Sequence, residues 1–208
     1  MFSWKPSVGK TGTWSFEPGT LNPPQKHTVF LDRDGVINED SPAYIRRWAE
    51  FRFIPGSLEA IAELADRGFR ILVVSNQSGV GRGLITRSTL ARMHRNLIAA
   101  AAESGGRIDD IFFCPHRPDE DCECRKPRPG LFRKACRVHA VDLSAAVMVG
   151  DSAKDVIAAR QAGCALSVLV KTGDHASAEA ELAAAGLRPD HVAADLKAAA
   201  DWIIERWR

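Results

Sequence analysis

No apolar run in this chain of 208 residues reaches the roughly 18 that a membrane-spanning helix needs. No block of like charge interrupts the interspersed Lys, Arg, Asp and Glu, whose formal sum is +2. These absences argue against a membrane-embedded protein and against a basic surface for nucleic acid or anionic lipid. They leave small anionic ligands open, since a local site needs only a few cations. The first residues lack the apolar core of a secretory signal, so the expected location is the cytoplasm. Cysteine is scarce: the count of five is odd and the spacing is not that of a disulfide framework. No G-x-S-x-G occurs, which removes the usual serine hydrolases. Gly9-Lys10-Thr11 ends like a P-loop, but Trp4 stands where the first glycine belongs.

What is present is 45% hydrophobic residues, enough for one good core and too little for two full enzyme domains. Residues 1–26, rich in Gly, Pro, Ser, Thr and Trp without a sustained period, read as an irregular arm that Trp4, Trp14 and Phe16 could anchor. From His27 short apolar runs alternate with helical patterns. Strands are expected at Thr28 to Leu31, Arg70 to Val74, Asp110 to Phe113, Ala146 to Val149 and Leu166 to Val170. Helices are expected near Ser57 to Arg67, Thr86 to Ser104, Gly130 to His139 and Ser152 to Ala162, with Gly68 and Gly163 as stops. This alternation predicts right-handed crossovers and a parallel sheet covered on both faces, a three-layer Rossmann-like α/β domain over residues 27–172. Ala176 to Gly186 and Val192 to Trp207 read as helices of a C-terminal extension, residues 173–208, packed on that domain. A monomer is expected, since no extra apolar stripe stands out.

The residues able to do chemistry fall where these strands end. After the first strand come Asp32, Arg33, Asp34 and Gly35. On an extended chain residues i and i+2 share a face, so Asp32 and Asp34 are expected side by side with Arg33 turned away. One carboxylate can then attack phosphorus and the other move a proton, with a divalent cation neutralising the converging charge. Ser75 and Asn76 end the second strand and lead into glycines 79, 81 and 83, where a hydroxyl, an amide and free N–H groups can cradle a phosphate. Arg125 and Lys126 place two cations in a loop, one suited to a phosphate and the other to a second phosphate or a carboxylate. Asp151 leaves the fourth strand as an oxygen ligand for Mg²⁺, and Asp155 follows one helical turn later. Cys114, His116, Cys122 and Cys124 form C-x-H-x5-C-x-C, four ligands within eleven positions. Such a set suits tetrahedral Zn²⁺ with no open position, so the zinc is expected to be structural and to fix Arg125 and Lys126.

Taken together, these motifs resemble the haloacid dehalogenase (HAD) superfamily of aspartate phosphatases. The four signatures are Asp32-Arg33-Asp34-Gly35, Ser75, Lys126, and Gly150-Asp151 with Asp155. The zinc loop narrows the resemblance to the branch that contains heptose bisphosphate phosphatases and histidinol-phosphate phosphatases. Asp34 to Asn38 and Ser75 to Gly83 look closer to the former; the five-residue gap between His116 and Cys122 looks closer to the latter. The resemblance implies a HAD-like fold without a large cap and a small phosphorylated sugar as substrate, with histidinol phosphate as the alternative. It implies Mg²⁺ held by Asp32, the Asp34 carbonyl and Asp151, and hydrolysis through an aspartyl phosphate on Asp32 with Asp34 as acid and base. Ser75 and Lys126 would grip the phosphoryl group. Asp40, Ser41, Pro42, Ala43, Asn76, Gln77, Ser78 and Arg125 would recognise the sugar or its second phosphate. A reading from another class, a zinc-stabilised binding protein on a retired catalytic fold, is disfavoured because every charged group the chemistry needs is present.

Overall fold

A computed structural model of the chain describes residues 4–8, 14–18, 27–173 and 175–207. Trp4–Val8 (β1) and Trp14–Pro18 (β2) pair antiparallel in a two-stranded ribbon where composition predicts an irregular arm. Pro6 hides the first of these strands from a pattern reading, because proline is tolerated only on edge strands, and both strands of a ribbon are edges. The anchoring side chains Trp4, Trp14 and Phe16 lie outside the described residues.

Among the described residues twelve further strands and α-helices follow in the order β3 (Thr28–Leu31), α1 (Ser57–Asp66), β4 (Arg70–Asn76), α2 (Arg87–Glu103), β5 (Asp110–Cys114), α3 (Gly130–His139), β6 (Ala146–Gly150), α4 (Ala153–Ala162), β7 (Leu166–Val170), α5 (His175–Ala184), β8 (His191–Ala193) and α6 (Leu196–Arg206). Strands β3 to β8 form one parallel sheet in the order β5-β4-β3-β6-β7-β8. The chain therefore starts near the centre, winds outward to β5, returns beside β3 as β6 and winds outward the other way. The order reverses between β3 and β6, and it is outside the carboxyl ends of such a strand pair that open α/β sheets bind ligands.

Alternate side chains of each central strand feed different cores. Val29, Leu31, Ile71, Val73, Val147 and Val149 face one side, under Leu64 of α1, Leu90 and Leu97 of α2 and Ile203 of α6. Phe30, Leu72, Val74 and Met148 face the other, against Leu131 and Phe132 of α3 and Ala158 of α4. Burial on both faces is why these strands read as continuous apolar runs. Helix starts follow local chemistry. Thr86 caps α2 by accepting from the Thr89 N–H, and Ser152 and Asp155 form a reciprocal capping box at α4.

A further element, near the C-terminus, differs from the sequence expectation. His191–Ala193 pairs with β7, and the following helix begins only at Leu196, where Asp195 caps it by accepting from the Ala198 N–H. The helix expected from Val192 thus gives its first turn to a sixth strand, whose three residues are too few to show a period. The loops after β3, β4 and β5 rise at the carboxyl edge without folding into a separate cap domain. Among the described residues no helix is long and apolar enough to cross a membrane.

Candidate active site

The carboxyl edge holds a cleft of about 330 Å³ lined by Asp32, Asp34, Ser75, Lys126 and Asp151, which arrive from β3, β4, the loop before α3, and β6. Lys126 is 2% exposed and lies between two carboxylates, 2.8 Å from Asp32 and 2.5 Å from Asp155, while donating to the Val74 carbonyl at 2.8 Å. Burial works to neutralise this lysine, but Asp155 and Asp32 outweigh it, and its pKa is raised. Asn76 fixes its backbone: the amide donates to the Lys126 carbonyl at 3.1 Å and accepts the Lys126 N–H at 3.0 Å.

The carboxylates crowd one another. The oxygens of Asp32, Asp151 and Asp155 all lie within 4.8 Å of each other. Burial pushes Asp32 up to about 7, with Lys126 pulling it down and the charges of Asp155 and Asp34 pushing it further up. Burial and then the charges of Asp32 and Asp155 push Asp151 up to about 8. Three hard oxygen donors with one cation among them form a site that a further divalent cation would relieve. Glycines make the crowding possible. A Cβ at Gly35 would stand 2.1 Å from an Asp151 carboxylate oxygen, one at Gly173 2.3 Å from it, and one at Gly150 2.2 Å from the Asp155 Cβ.

Asp32 and Asp34 line the same cleft, but Arg33 departs from the expected geometry. Because β3 ends at Leu31, residues 32–34 are not extended strand and the two-residue period does not govern them. Arg33 turns back and forks onto the Asp34 carboxylate, Nε at 3.0 Å from Oδ1 and one terminal nitrogen at 2.6 and 2.8 Å from Oδ1 and Oδ2. Asn38 donates to Oδ1 at 2.9 Å, and Gln77 donates to Oδ2 at 2.7 Å and to Ser75 Oγ at 2.9 Å. Gln77 thereby links Asp34 to the Ser75 hydroxyl.

Of the residues expected to meet a substrate, Asp40, Ser41, Pro42, Asn76, Gln77 and Arg125 line the cleft. Ala43 is exposed and Ser78 buried, and neither is among the lining residues; Tyr44, Ile45 and Ile85 supply an apolar wall instead. Ser152 and Lys154 complete the rim.

Beside the cleft the cysteine loop closes on itself. Cys114 Sγ lies 3.5 Å from both His116 Nδ1 and Cys122 Sγ, and Cys124 Sγ lies 3.2 Å from His116 Nδ1 and 3.7 Å from Cys122 Sγ. Tetrahedral zinc, with bonds of about 2.3 Å to sulfur, sets sulfur–sulfur edges of about 3.8 Å, so the four donors fit that ion. The loop is tied to the cleft through Arg125, which donates to the His116 carbonyl at 3.3 Å, and through the Gln77 N–H, which donates to the Cys114 carbonyl at 2.7 Å.

A HAD-hydrolase-like family model matches residues 123–199. A D-glycero-beta-D-manno-heptose-1,7-bisphosphate 7-phosphatase of Bordetella bronchiseptica is 44% identical over 178 residues, 85% of this chain and 97% of that protein. The chain belongs to the HAD-like hydrolases. An enzyme of the same name from Pseudomonas putida is 49% identical over 145 residues, 70% of this chain and 82% of its own length. The crystal structure of the B. bronchiseptica phosphatase, complexed with magnesium and phosphate, matches with a TM-score of 0.80 at 42% identity, covering 86% of this chain and 99% of that one. The D,D-heptose 1,7-bisphosphate phosphatase of Burkholderia thailandensis matches with a TM-score of 0.64 at 38% identity, with the same coverage of 86% and 99%. In this HAD-like hydrolase the sequence reading missed Asn38 and Gly173, and it pointed Arg33 the wrong way. A buried asparagine and a glycine far along the chain carry no local signal; their roles exist only through contacts with Asp34 and Asp151.

Proposed function

We propose that the chain is a phosphatase that removes the 7-phosphate of D-glycero-beta-D-manno-heptose 1,7-bisphosphate. The observation that carries this reading is the convergence of Asp32, Asp34, Ser75, Lys126 and Asp151 on one cleft, in a chain 44% identical over 85% of its length to an enzyme of that name. Asp32 attacks phosphorus, the bond from phosphorus to the sugar O7 breaks, and Asp34 gives its proton to the departing oxygen. Water then loses a proton to Asp34 as its oxygen attacks the aspartyl phosphate, releasing inorganic phosphate and restoring Asp32. Lys126 offsets the charge of Asp32 and, with the Ser75 hydroxyl, grips the phosphoryl oxygens. The carboxylates of Asp32 and Asp151 and the Asp34 carbonyl would hold Mg²⁺, a reading supported by the crowded oxygen donors. When bound, the ion neutralises charge between nucleophile and phosphate.

The sugar and its second phosphate are assigned to Asp40, Ser41, Pro42, Asn76, Gln77 and Arg125, with Ala43 and Ser78 acting through the backbone of those loops. Cys114, His116, Cys122 and Cys124 would hold a structural Zn²⁺, supported by their tetrahedral spacing. A monomer and a cytoplasmic location complete the proposal.

The test is phosphate release with Mg²⁺ from both anomers of heptose 1,7-bisphosphate and from histidinol phosphate, compared as kcat/KM. The beta bisphosphate is expected to lead. Preference for histidinol phosphate would overturn the assignment and make the short zinc loop the better guide.

A further inference from the structure

Arg33 is 1% exposed, and among the described residues its guanidinium has one carboxylate partner, Asp34. One terminal nitrogen, Nη1, has no hydrogen-bond partner, and the group otherwise lies 5.7 Å from the centre of the Phe51 ring. Burying a guanidinium costs several kcal/mol, and a buried ion pair returns little net stability over apolar residues of the same size. A stability role therefore does not account for a charge placed here with a donor to spare. Its geometry is specific instead: a planar fork engages both oxygens of one carboxylate and fixes the plane of that group, which an ammonium cannot do. The Arg33 backbone is pinned as well, because its carbonyl accepts the N–H groups of Ile37 at 2.8 Å and Asn38 at 3.1 Å.

We infer that Arg33 is a positioning residue for the proton transfer. It holds the Asp34 carboxyl in the orientation that protonates the leaving oxygen, while attack by Asp32 on phosphorus does not depend on it. This rests on the reading of Asp34 as acid and base given above. The step it governs is the first one: the phosphorus–oxygen bond breaks as the new bond from Asp32 forms, and the Asp34 proton passes to the departing alkoxide.

A substrate whose leaving group needs no proton separates the two roles. Arg33→Gln, Arg33→Lys and Asp34→Asn are compared with the unaltered enzyme on heptose 1,7-bisphosphate, which expels an alkoxide, and on p-nitrophenyl phosphate, which expels a stable phenolate. General acid–base catalysis is worth about 10²–10⁴-fold. Arg33→Gln is expected to lose about 100-fold or more in the single-turnover rate of leaving-group release from the sugar substrate and less than about 5-fold in the first-turnover burst of nitrophenolate, which precedes the water step that both substrates share. Arg33→Lys, which keeps charge but not the fork, should fail with the same selectivity. Equal losses in these first-step rates on both substrates, no loss on either, or Arg33 variants that give neither folded protein nor a nitrophenolate burst would overturn the proposal in favour of a structural ion pair. If Asp34→Asn itself shows no selectivity, the acid role of Asp34 fails, a result distinct from failure of Arg33.

Discussion

At the scale of single residues, the site is a balance of charges, of which Lys126 and Asp155 are buried away from water. Lys126 is the centre of that balance, being fully enclosed between Asp32 and Asp155. Lys126→Met keeps the stem and removes the charge, leaving two carboxylates facing each other. The expected loss is about 3–5 kcal/mol, as for other broken buried pairs, read by urea denaturation together with loss of turnover. Gly173 is a subtler case. A methyl group there would sit 2.3 Å from an Asp151 oxygen, so Gly173→Ala must displace that carboxylate from its present position. Because groups that orient ligands typically govern metal affinity by about 10–100-fold, the Mg²⁺ concentration giving half-maximal turnover should rise by at least about 10-fold, with the melting temperature little changed. An unchanged Mg²⁺ requirement would remove Asp151 from the metal site.

At the scale of elements, two segments place these residues and each has its own signature. Helix α2 buries His94 edge-on to Phe113, with ring centroids 5.5 Å apart, and leaves its Nε2 unpartnered. Burial, then the Arg33 cation, pulls its pKa from 6.5 down to about 4, with Asp34 opposing. Between these values the unfolded chain binds the proton and the folded one does not. The stability this neutral histidine secures is therefore complete above the unfolded value and lost as pH falls through the window. The loss amounts to at most about 3 kcal/mol, and His94→Gln should flatten that part of a stability–pH curve measured by urea denaturation. The loop from Cys114 to Cys124 has too little apolar content to hold itself together, so its order is expected to come from metal. Purified protein should carry one tightly held zinc, and Cys122→Ser should lose both the zinc and most turnover through displacement of Arg125 and Lys126. Full activity without zinc in that variant would show that the loop is ordered by its protein contacts alone.

At the scale of the whole molecule, the sheet and the cores on its two faces hold four loops at one edge, and the C-terminal segment joins both the sheet and the core under α1 and α2. Ile203 of α6 is fully buried in the same core as Leu64 of α1 and Leu90 of α2, and β8 pairs with β7. Ile203→Ala should therefore destabilise the entire cooperative unit by about 2–5 kcal/mol in denaturant, with no separate early transition. A distinct low-stability phase would mark α6 as an appendage. Strand and helix positions from β3 through α4, the carboxylate, serine, lysine and cysteine motifs, and their common location at strand ends were legible in the chain itself. Apolar period, capping residues and ligand spacing are local properties, and a run such as Ile71 to Val74 declares a doubly buried strand without reference to any partner. Strand β8 and the ribbon near the N-terminus were not legible, since three residues or a proline-bearing strand carry no period. Nor were the fork of Arg33 onto Asp34, the support from Asn38 and the packing of Gly173 under Asp151. The first two are set by the turn that follows the end of β3, and the third by the approach of the loop after β7 to the loop after β6, beside the point where Gly35 and Thr172 meet through a hydrogen bond separated by 137 positions. The order of residues determined which groups the protein has for its chemistry. Only the folded sheet decided their distances, because burial and charge balance are properties of neighbours that the chain brings together solely by folding.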